Sequence, residues 1–450
     1  MCNTVRVRGD LRDETLLWAR CAEGSSETEV ANLPRQLHLK STGRVATVLV
    51  APIVSRILPT SKRSGPRELR SVERCHIDRM AAFEPLRPAI HQVIPDQPEA
   101  TAVRLPFRDL ANLVNRLAWW LDGLSKKGST ISYLAPSDLR HILLCLASAK
   151  VGVKILLLSS RNSTEVNDHL LKTVQCHTVL FDGSLHAAVS ELKTEPLEAI
   201  EVSDLLEPLQ TPTPVDKYPC INTLSAVEHE PFAFLHTSGS TGLPKPVIMA
   251  HGAIAAQDAQ LNLSSSGQLG EKIQTALLAE AQRPYISFPL FHVAGLALSC
   301  PVLFSGSALV FGYPNRPPSC QIFKDVLRLV QADAAVIPPL IVDRIPQDPP
   351  LFNSISSDVN FILTGGGQVS QKAGNIVSRK TKLLIGMGST ETLALPQLMP
   401  ESDNWHCFHF AKAHGSIEWH PAWDTSRDVE TPEDEIYELV IHRSDEFEEY

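Results

Sequence analysis

The sequence predicts an α/β chain in which parallel strands are covered by helices, and three observations lead there. The runs "VKILLLS" at 153–159 and "HTVLFD" at 177–182 are apolar throughout rather than alternating, the mark of strands buried on both faces. Between such runs lie stretches whose apolar residues recur at helical spacing. The order is strand, helix, strand, which a parallel sheet needs because parallel neighbours require a crossover. At 450 residues, with 43% hydrophobic and 20% charged side chains, the chain can bury one large core or two to three smaller ones.

In chain order, residues 1–82 form an unassigned leader. "PTSKRSGPRELRS" at 59–71 mixes breakers with charge as linkers and disordered tails do. From residue 83 the texture changes. "FRDLANLVNRLAWWLDGL" sets Leu110, Leu113, Val114, Leu117, Ala118 and Leu121 on one helical face, with Gly123 as the stop. "STISYLA" at 129–135 reads as a strand, and "SDLRHILLCLASAKVG" as a helix opened by Ser137 or Asp138 and closed near Gly152. The Pro- and acid-rich segment 194–220 is expected to cross the surface before a buried strand at Phe232–Leu235. No internal repeat is visible.

Composition narrows the function. The formal charge is −9, yet the first eighty residues hold fourteen Lys/Arg against nine Asp/Glu, a local +5, which leaves −14 for the remainder. An acidic main body disfavours nucleic acid as a partner. The nine cysteines are scattered without a C-x-x-C pair, a usage that fits a reducing, cytoplasmic setting and argues against thiolate metal sites. The early apolar run "VATVLVAPIV" at 45–54 is too short to span a bilayer, so no membrane span is expected.

Behind the apolar run "FAFL" stand Thr237, Ser238, Gly239, Ser240, Thr241, Gly242, Leu243, Pro244 and Lys245. Glycines let backbone N–H groups converge on an anion, hydroxyls add donors, and a lysine adds mobile positive charge, so the string has the parts of a polyphosphate cradle. It is not the P-loop of kinases and GTPases, because Pro244 and Pro246 flank the lysine where that loop needs Gly before it and Ser/Thr after it.

"TSGSTGLPK" resembles the phosphate-loop signature of adenylate-forming enzymes, the superfamily of acyl-CoA synthetases, luciferases and nonribosomal peptide synthetase adenylation domains. Pro246 departs from it, since a glycine usually follows the lysine. Downstream, "YISFPLFHVAGLAL" at 285–298 is similar to the family's segment at the acyl pocket, "FILTGGGQVS" at 361–370 to its glycine turn against adenine, and "GMGSTET" at 386–392 to its motif carrying Thr and Glu. Upstream, "NRLAWWL" and "LLLSSRNS" resemble fungal adenylation domains of reductase-type and other nonribosomal-synthetase-like enzymes. The likeness runs over 83–450 and implies the large subdomain of that fold.

It further implies ATP-dependent activation of a carboxylic acid as an acyl-adenylate, in secondary metabolism, with ATP and Mg2+ as cofactors. Thr237, Ser238, Gly239, Ser240, Thr241, Gly242 and Lys245 would line the phosphates, and Gly365, Gly366 and Gly367 the adenine, with Gly388, Ser389 and Thr390 also at the nucleotide. Lys245, Thr390 and Glu391 would be catalytic, Glu391 ligating the magnesium; a Glu in "STET" could instead cap a helix. His292 and Gly295 would meet the substrate. The aspartate with which amino-acid-activating domains hold an ammonium is missing from "PLFHVAGLAL", which points to an aryl, fatty or keto acid. Cys300 and "VIPPLIV" at 336–342 could line the acyl pocket or pack the core.

No Tyr-Arg-Thr-Gly-Asp-like string precedes Tyr450, so the sequence is expected to lack the family's C-terminal lid and to be weakly active or inactive unless a lid or carrier protein on another chain assists. An acyl-CoA ligase and a non-catalytic nucleotide- or acyl-binding remnant are the competing readings.

Overall fold

The computed structural model describes residues 5–8, 17–21, 76–95, 99–202, 213–219, 226–237, 243–263, 273–400, 404–410, 417–421 and 436–441. Two mostly parallel sheets dominate it. The first runs in the order Pro246–Ala250, Pro231–His236, Lys154–Ser159, Thr130–Ala135, Thr178–Phe181, Glu198–Glu201, parallel except for its first, edge strand. The second runs Lys382–Gly386, Phe361–Gly365, Ala334–Val336, Pro284–Ile286, Leu309–Phe311, Pro88–Ile94, Thr101–Pro106, antiparallel only at its last pair. Val5–Arg8 and Leu17–Cys21 of the leader pair antiparallel with each other and with strands Ile436–Ile441 and Cys407–Phe410 in a third sheet.

The expected elements form for the expected reasons. Helix Phe107–Leu124 buries all six residues of its apolar face, and the chain leaves it at Ser125, so Gly123 lies inside the last turn rather than beyond it. Of the two candidate caps, Asp138 opens helix Leu139–Val151: its carboxylate accepts from the Arg140 backbone, and His141 completes a capping box. Gly152 closes the helix with φ of 80°, the left-handed conformation that only glycine adopts without strain. The stretch 194–220 is not wholly a surface crossing, because Glu198–Glu201 adds an edge strand to the first sheet. That strand is mostly exposed, with only Ile200 packed against the core, so it leaves no apolar pattern to read.

Helices fill the space around the sheets. Lys150, almost fully buried, donates to Asp78 at 2.5 Å and to Asn115 at 2.6 Å, pinning helices Leu139–Val151, His76–Phe83 and Phe107–Leu124 together. The carboxyl ends of the two sheets are joined directly. Ser137, beyond strand Thr130–Ala135, accepts through Oγ from Leu290 N at 2.9 Å and through its carbonyl from Asn315 N at 3.2 Å. Crevices at such carboxyl ends are where open α/β sheets bind ligands. Among the described residues no helix is long and apolar enough to cross a membrane.

Candidate functional site

Thr237 and the glycine and Thr390–Glu391 turns lie at or just beyond the carboxyl ends of strands. Lys245 precedes the antiparallel edge strand Pro246–Ala250, whose start faces His236, and His292 and Gly295 stand at the start of helix Val293–Ser305. Thr237 follows strand Pro231–His236, and its N–H donates to the Lys245 carbonyl at 3.3 Å, closing a neck across which His236 faces Pro246 in antiparallel register. Lys245 is exposed. Pro246 can stand there because it is the first residue of an edge strand, where no ladder donor is lost. Ser238, Gly239, Ser240, Thr241 and Gly242 lie outside the described residues.

On the second sheet, two glycine-bearing ends lie side by side. Gly365 pairs with Gly386 across adjacent parallel strands, and a Cβ on Gly365 would sit 2.5 Å from the Gly386 carbonyl oxygen. Gly366 has φ of +76° and open space where a side chain would be, and Gly367 is exposed beside it, so a flat group can reach this backbone. From Gly386 the chain enters a small hairpin, Gly388–Ser389 against Leu393–Ala394. Ser389 N donates to Thr392 Oγ1 at 3.0 Å and Thr392 N to Ser389 Oγ at 3.1 Å, which leaves Thr390 and Glu391 at the tip, both half-buried. The chain turns from Glu391 directly into strand Leu393–Ala394, so Glu391 does not cap a helix.

The two sides meet through helix His251–Leu263, which leaves the edge strand behind Lys245. Its Gln257 and Gln260 amides both donate at 3.0 Å to the Ala394 carbonyl of that hairpin. The Thr237–Lys245 neck and the Thr390–Glu391 turn are therefore tied through one helix.

His292 is the residue before helix Val293–Ser305, its N–H bound to Pro289 O at 2.9 Å. It keeps solvent-accessible surface, but protein packed around its ring, and then the Arg161 cation, depress its pKa. Gly295 is buried under the Phe288–Pro289 turn, where a Cβ would lie 2.1 Å from the Pro289 carbonyl oxygen; it lets the helix approach the turn. Cys300, Val336, Ile337, Ile341 and Val342 are core residues, and burial pushes the Cys300 thiol up. A cavity of about 350 Å³ opens next to this segment, with Ser137, Ser160, Arg161, Phe291, Tyr313 and Arg316 in its wall. Thr237, Lys245, the glycine turn and Glu391 lie outside that wall.

Sequence reasoning passed over His236. Its Nε2 accepts from the Ser159 backbone N–H at 3.2 Å and stands 3.4 Å from the Asn162 amide nitrogen. Desolvation, then the neighbouring His292, hold its pKa down at about 4. The only signal was its place, directly before "TSGSTG".

A family model for AMP-binding enzymes matches residues 77–409. The chain belongs to the AMP-binding enzyme family. Members use ATP, generally with Mg2+, and the family supports carboxylic acid adenylation and ligation. The chain is similar to the isocyanide synthase-NRPS hybrid crmA of Aspergillus fumigatus, at 29% identity over 82% of this chain and 24% of the relative. It is also similar to a carboxylic acid reductase of Neurospora crassa, at 29% identity over 76% of this chain and 32% of the relative. It thus spans a quarter to a third of the length of these curated relatives. Among solved structures, the N-terminal domain of FACL13 from Mycobacterium tuberculosis superimposes with a TM-score of 0.56 at 18% identity, covering 71% of this chain and 76% of that one. The N-terminal subdomain of Klebsiella oxytoca NpsA gives 0.56 at 16% identity, covering 75% and 79%. These likenesses establish the α/β fold of the family's N-terminal part and bear out the sequence resemblance.

Proposed function

We propose that this AMP-binding chain activates a carboxylic acid with ATP: a carboxylate oxygen attacks the α-phosphorus, the bond to the bridging oxygen of the β-phosphate breaks, and pyrophosphate leaves as the acyl-adenylate forms. What carries this reading is the junction of the two sheets. A glycine turn with open space, a turn presenting Thr390 and Glu391, and the neck that ends in Lys245 are held by neighbouring strands and one helix.

In this arrangement the backbone at Gly365, Gly366 and Gly367 receives the adenine, and Thr390 donates to the α-phosphate. Lys245 and the hydroxyls of Thr237, Ser238, Ser240 and Thr241, with Gly239 and Gly242, hold the departing phosphates, where preorganised charge has the greatest effect on the transition state. The donor set suits magnesium. Mg2+ is commonly held by one or two carboxylates plus phosphates and water. Glu391 would be that carboxylate, and the ion would supply positive charge to neutralise the phosphates.

His292, depressed in pKa, is neutral near pH 7 and can donate to the acid's carboxylate without adding charge. With no aspartate there to hold an ammonium, an aryl, fatty or keto acid is the substrate class. The acceptor of the acyl group is a carrier-protein thiol or coenzyme A, and closure by a further domain, in cis or in trans, would exclude water.

The test is calorimetric titration with ATP, with and without Mg2+, followed by acid-dependent exchange of pyrophosphate into ATP across a panel of aryl, fatty and keto acids, alone and with an added lid domain. Mg2+-dependent ATP binding and exchange with at least one acid are expected. Absence of ATP binding under all conditions overturns the proposal.

A further inference from the structure

We propose that His236 is a positioning residue, a neutral staple that fastens the neck of the phosphate loop to the "SSRNS" turn at 159–163. The inference rests on the nucleotide reading for its consequence, though not for its geometry.

Strands Pro231–His236 and Lys154–Ser159 are parallel neighbours, but their backbone register stops at Ile155↔Ala233 and Leu156↔Phe234. Beyond it the two chains continue to the site without a shared ladder. The His236 ring replaces the missing rung. Its Nε2 accepts the Ser159 N–H at 3.2 Å and faces the Asn162 amide nitrogen at 3.4 Å. That amide also donates to Oδ1 of buried Asn167 at 3.0 Å, on helix Thr164–Thr173. An amide nitrogen cannot accept, so both partners of Nε2 are donors, and the ring must be neutral with its proton on Nδ1. The depressed pKa agrees with this, since a protonated ring would turn its own Nε2–H against two donors.

One residue further stands the Thr237–Lys245 neck. Fastening His236 therefore fixes the place of Thr237 and, across the neck, of Lys245, the groups offered to phosphate. It also gives the "SSRNS" turn a role in the site. A phenyl ring would fill the same space but leave the Ser159 N–H without its acceptor and the Asn162 amide with Asn167 alone, whereas Gln can place Oε1 where Nε2 stands.

The experiment compares His236→Phe, His236→Gln and Asn162→Ala in the full chain. Hydrogen exchange should speed up in peptides covering 159–163 and 237–247 in His236→Phe, stay unchanged at 361–386, and return towards wild type in His236→Gln. ATP affinity should fall about tenfold in His236→Phe and recover to within about twofold in His236→Gln, with thermal melting confirming that each variant folds. Nitrogen-15 NMR of the histidines should show Nδ1 protonated on His236. Unchanged exchange in His236→Phe, or a proton on Nε2, would overturn the staple whether or not ATP binds. A wild-type chain that bound no ATP would overturn the nucleotide reading, while the exchange and tautomer results would still decide the staple.

Discussion

The two sides of the site are held by different means. On the second sheet, backbone sits against backbone: Gly365 lies so close to Gly386, and Gly388 to Leu393, that a single methyl group has nowhere to go. On the first sheet the neck is closed by a backbone hydrogen bond from Thr237 N–H to the Lys245 carbonyl, but a side chain fastens it to the neighbouring strand, with His236 reaching residues 159 and 162, and Lys245 beside it is exposed. Backbone packing resists substitution but cannot adapt. A side-chain network can be removed one bond at a time, and charge can be taken away there without disturbing the fold.

The largest effect should therefore come from adding a methyl group on the glycine side. In Gly388→Ala the new Cβ would lie 2.1 Å from the Leu393 carbonyl oxygen, and in Gly365→Ala 2.5 Å from that of Gly386; neither obstacle is a flexible side chain. Each should lose about 1–3 kcal/mol of stability in urea denaturation. Gly366→Ala separates space from conformation: it has room, and only its φ of +76° opposes a side chain, so a loss of about 1 kcal/mol is expected. Equal losses in all three would mean that crowding does not distinguish this side.

That contrast also explains what could be read from the sequence. Glycines needed for close approach are visible as "TGGG" and "GMG", and the strand ends that carry them are visible as apolar runs. The cap of helix Leu139–Val151 was visible as one of two residues, Ser137 or Asp138, and the structure chooses Asp138, whose partners lie within the first turn. The His236 staple was not visible, because its two ends are 77 residues apart and a histidine carries no periodic signal. Three-residue strands such as Ala334–Val336, and the polar edge strand Glu198–Glu201, were equally hidden, since pairing rather than side-chain pattern makes them strands.

A second, smaller effect should separate the charges on the two sides. Lys245 is exposed, so Lys245→Ala should leave stability within about 0.5 kcal/mol while weakening ATP binding by roughly 1–3 kcal/mol, the scale of a lost charged hydrogen bond. Glu391→Gln keeps the shape of a half-buried side chain and removes its charge. Calorimetry should show it lowering the magnesium-dependent part of ATP binding while leaving the magnesium-free part unchanged. If binding with and without magnesium fell equally, Glu391 would not be the ligand, and both sides would act only through phosphate contacts.

The smallest effect concerns pH and belongs to the first sheet alone. Folding lowers the pKa of His236 from its ordinary 6.5 to about 4, because burial and then the nearby His292 oppose its positive charge. A group depressed on folding stabilises the native state fully above its unfolded pKa, and that contribution is lost as pH falls through the unfolded value towards the folded one. Between pH 7 and 5.5 the loss should be roughly 1 kcal/mol. His292 shifts in the same direction and adds to it. Urea denaturation at pH 7 and 5.5 measures the sum, and His236→Gln isolates one contributor, since Gln keeps the acceptor and cannot titrate. Stability of His236→Gln should fall less on acidification than that of wild type, by about the amount assigned to His236. An identical fall in both proteins would show that the imidazole is no less basic in the fold than outside it, and the first sheet would lose its claim to be held by a neutral ring.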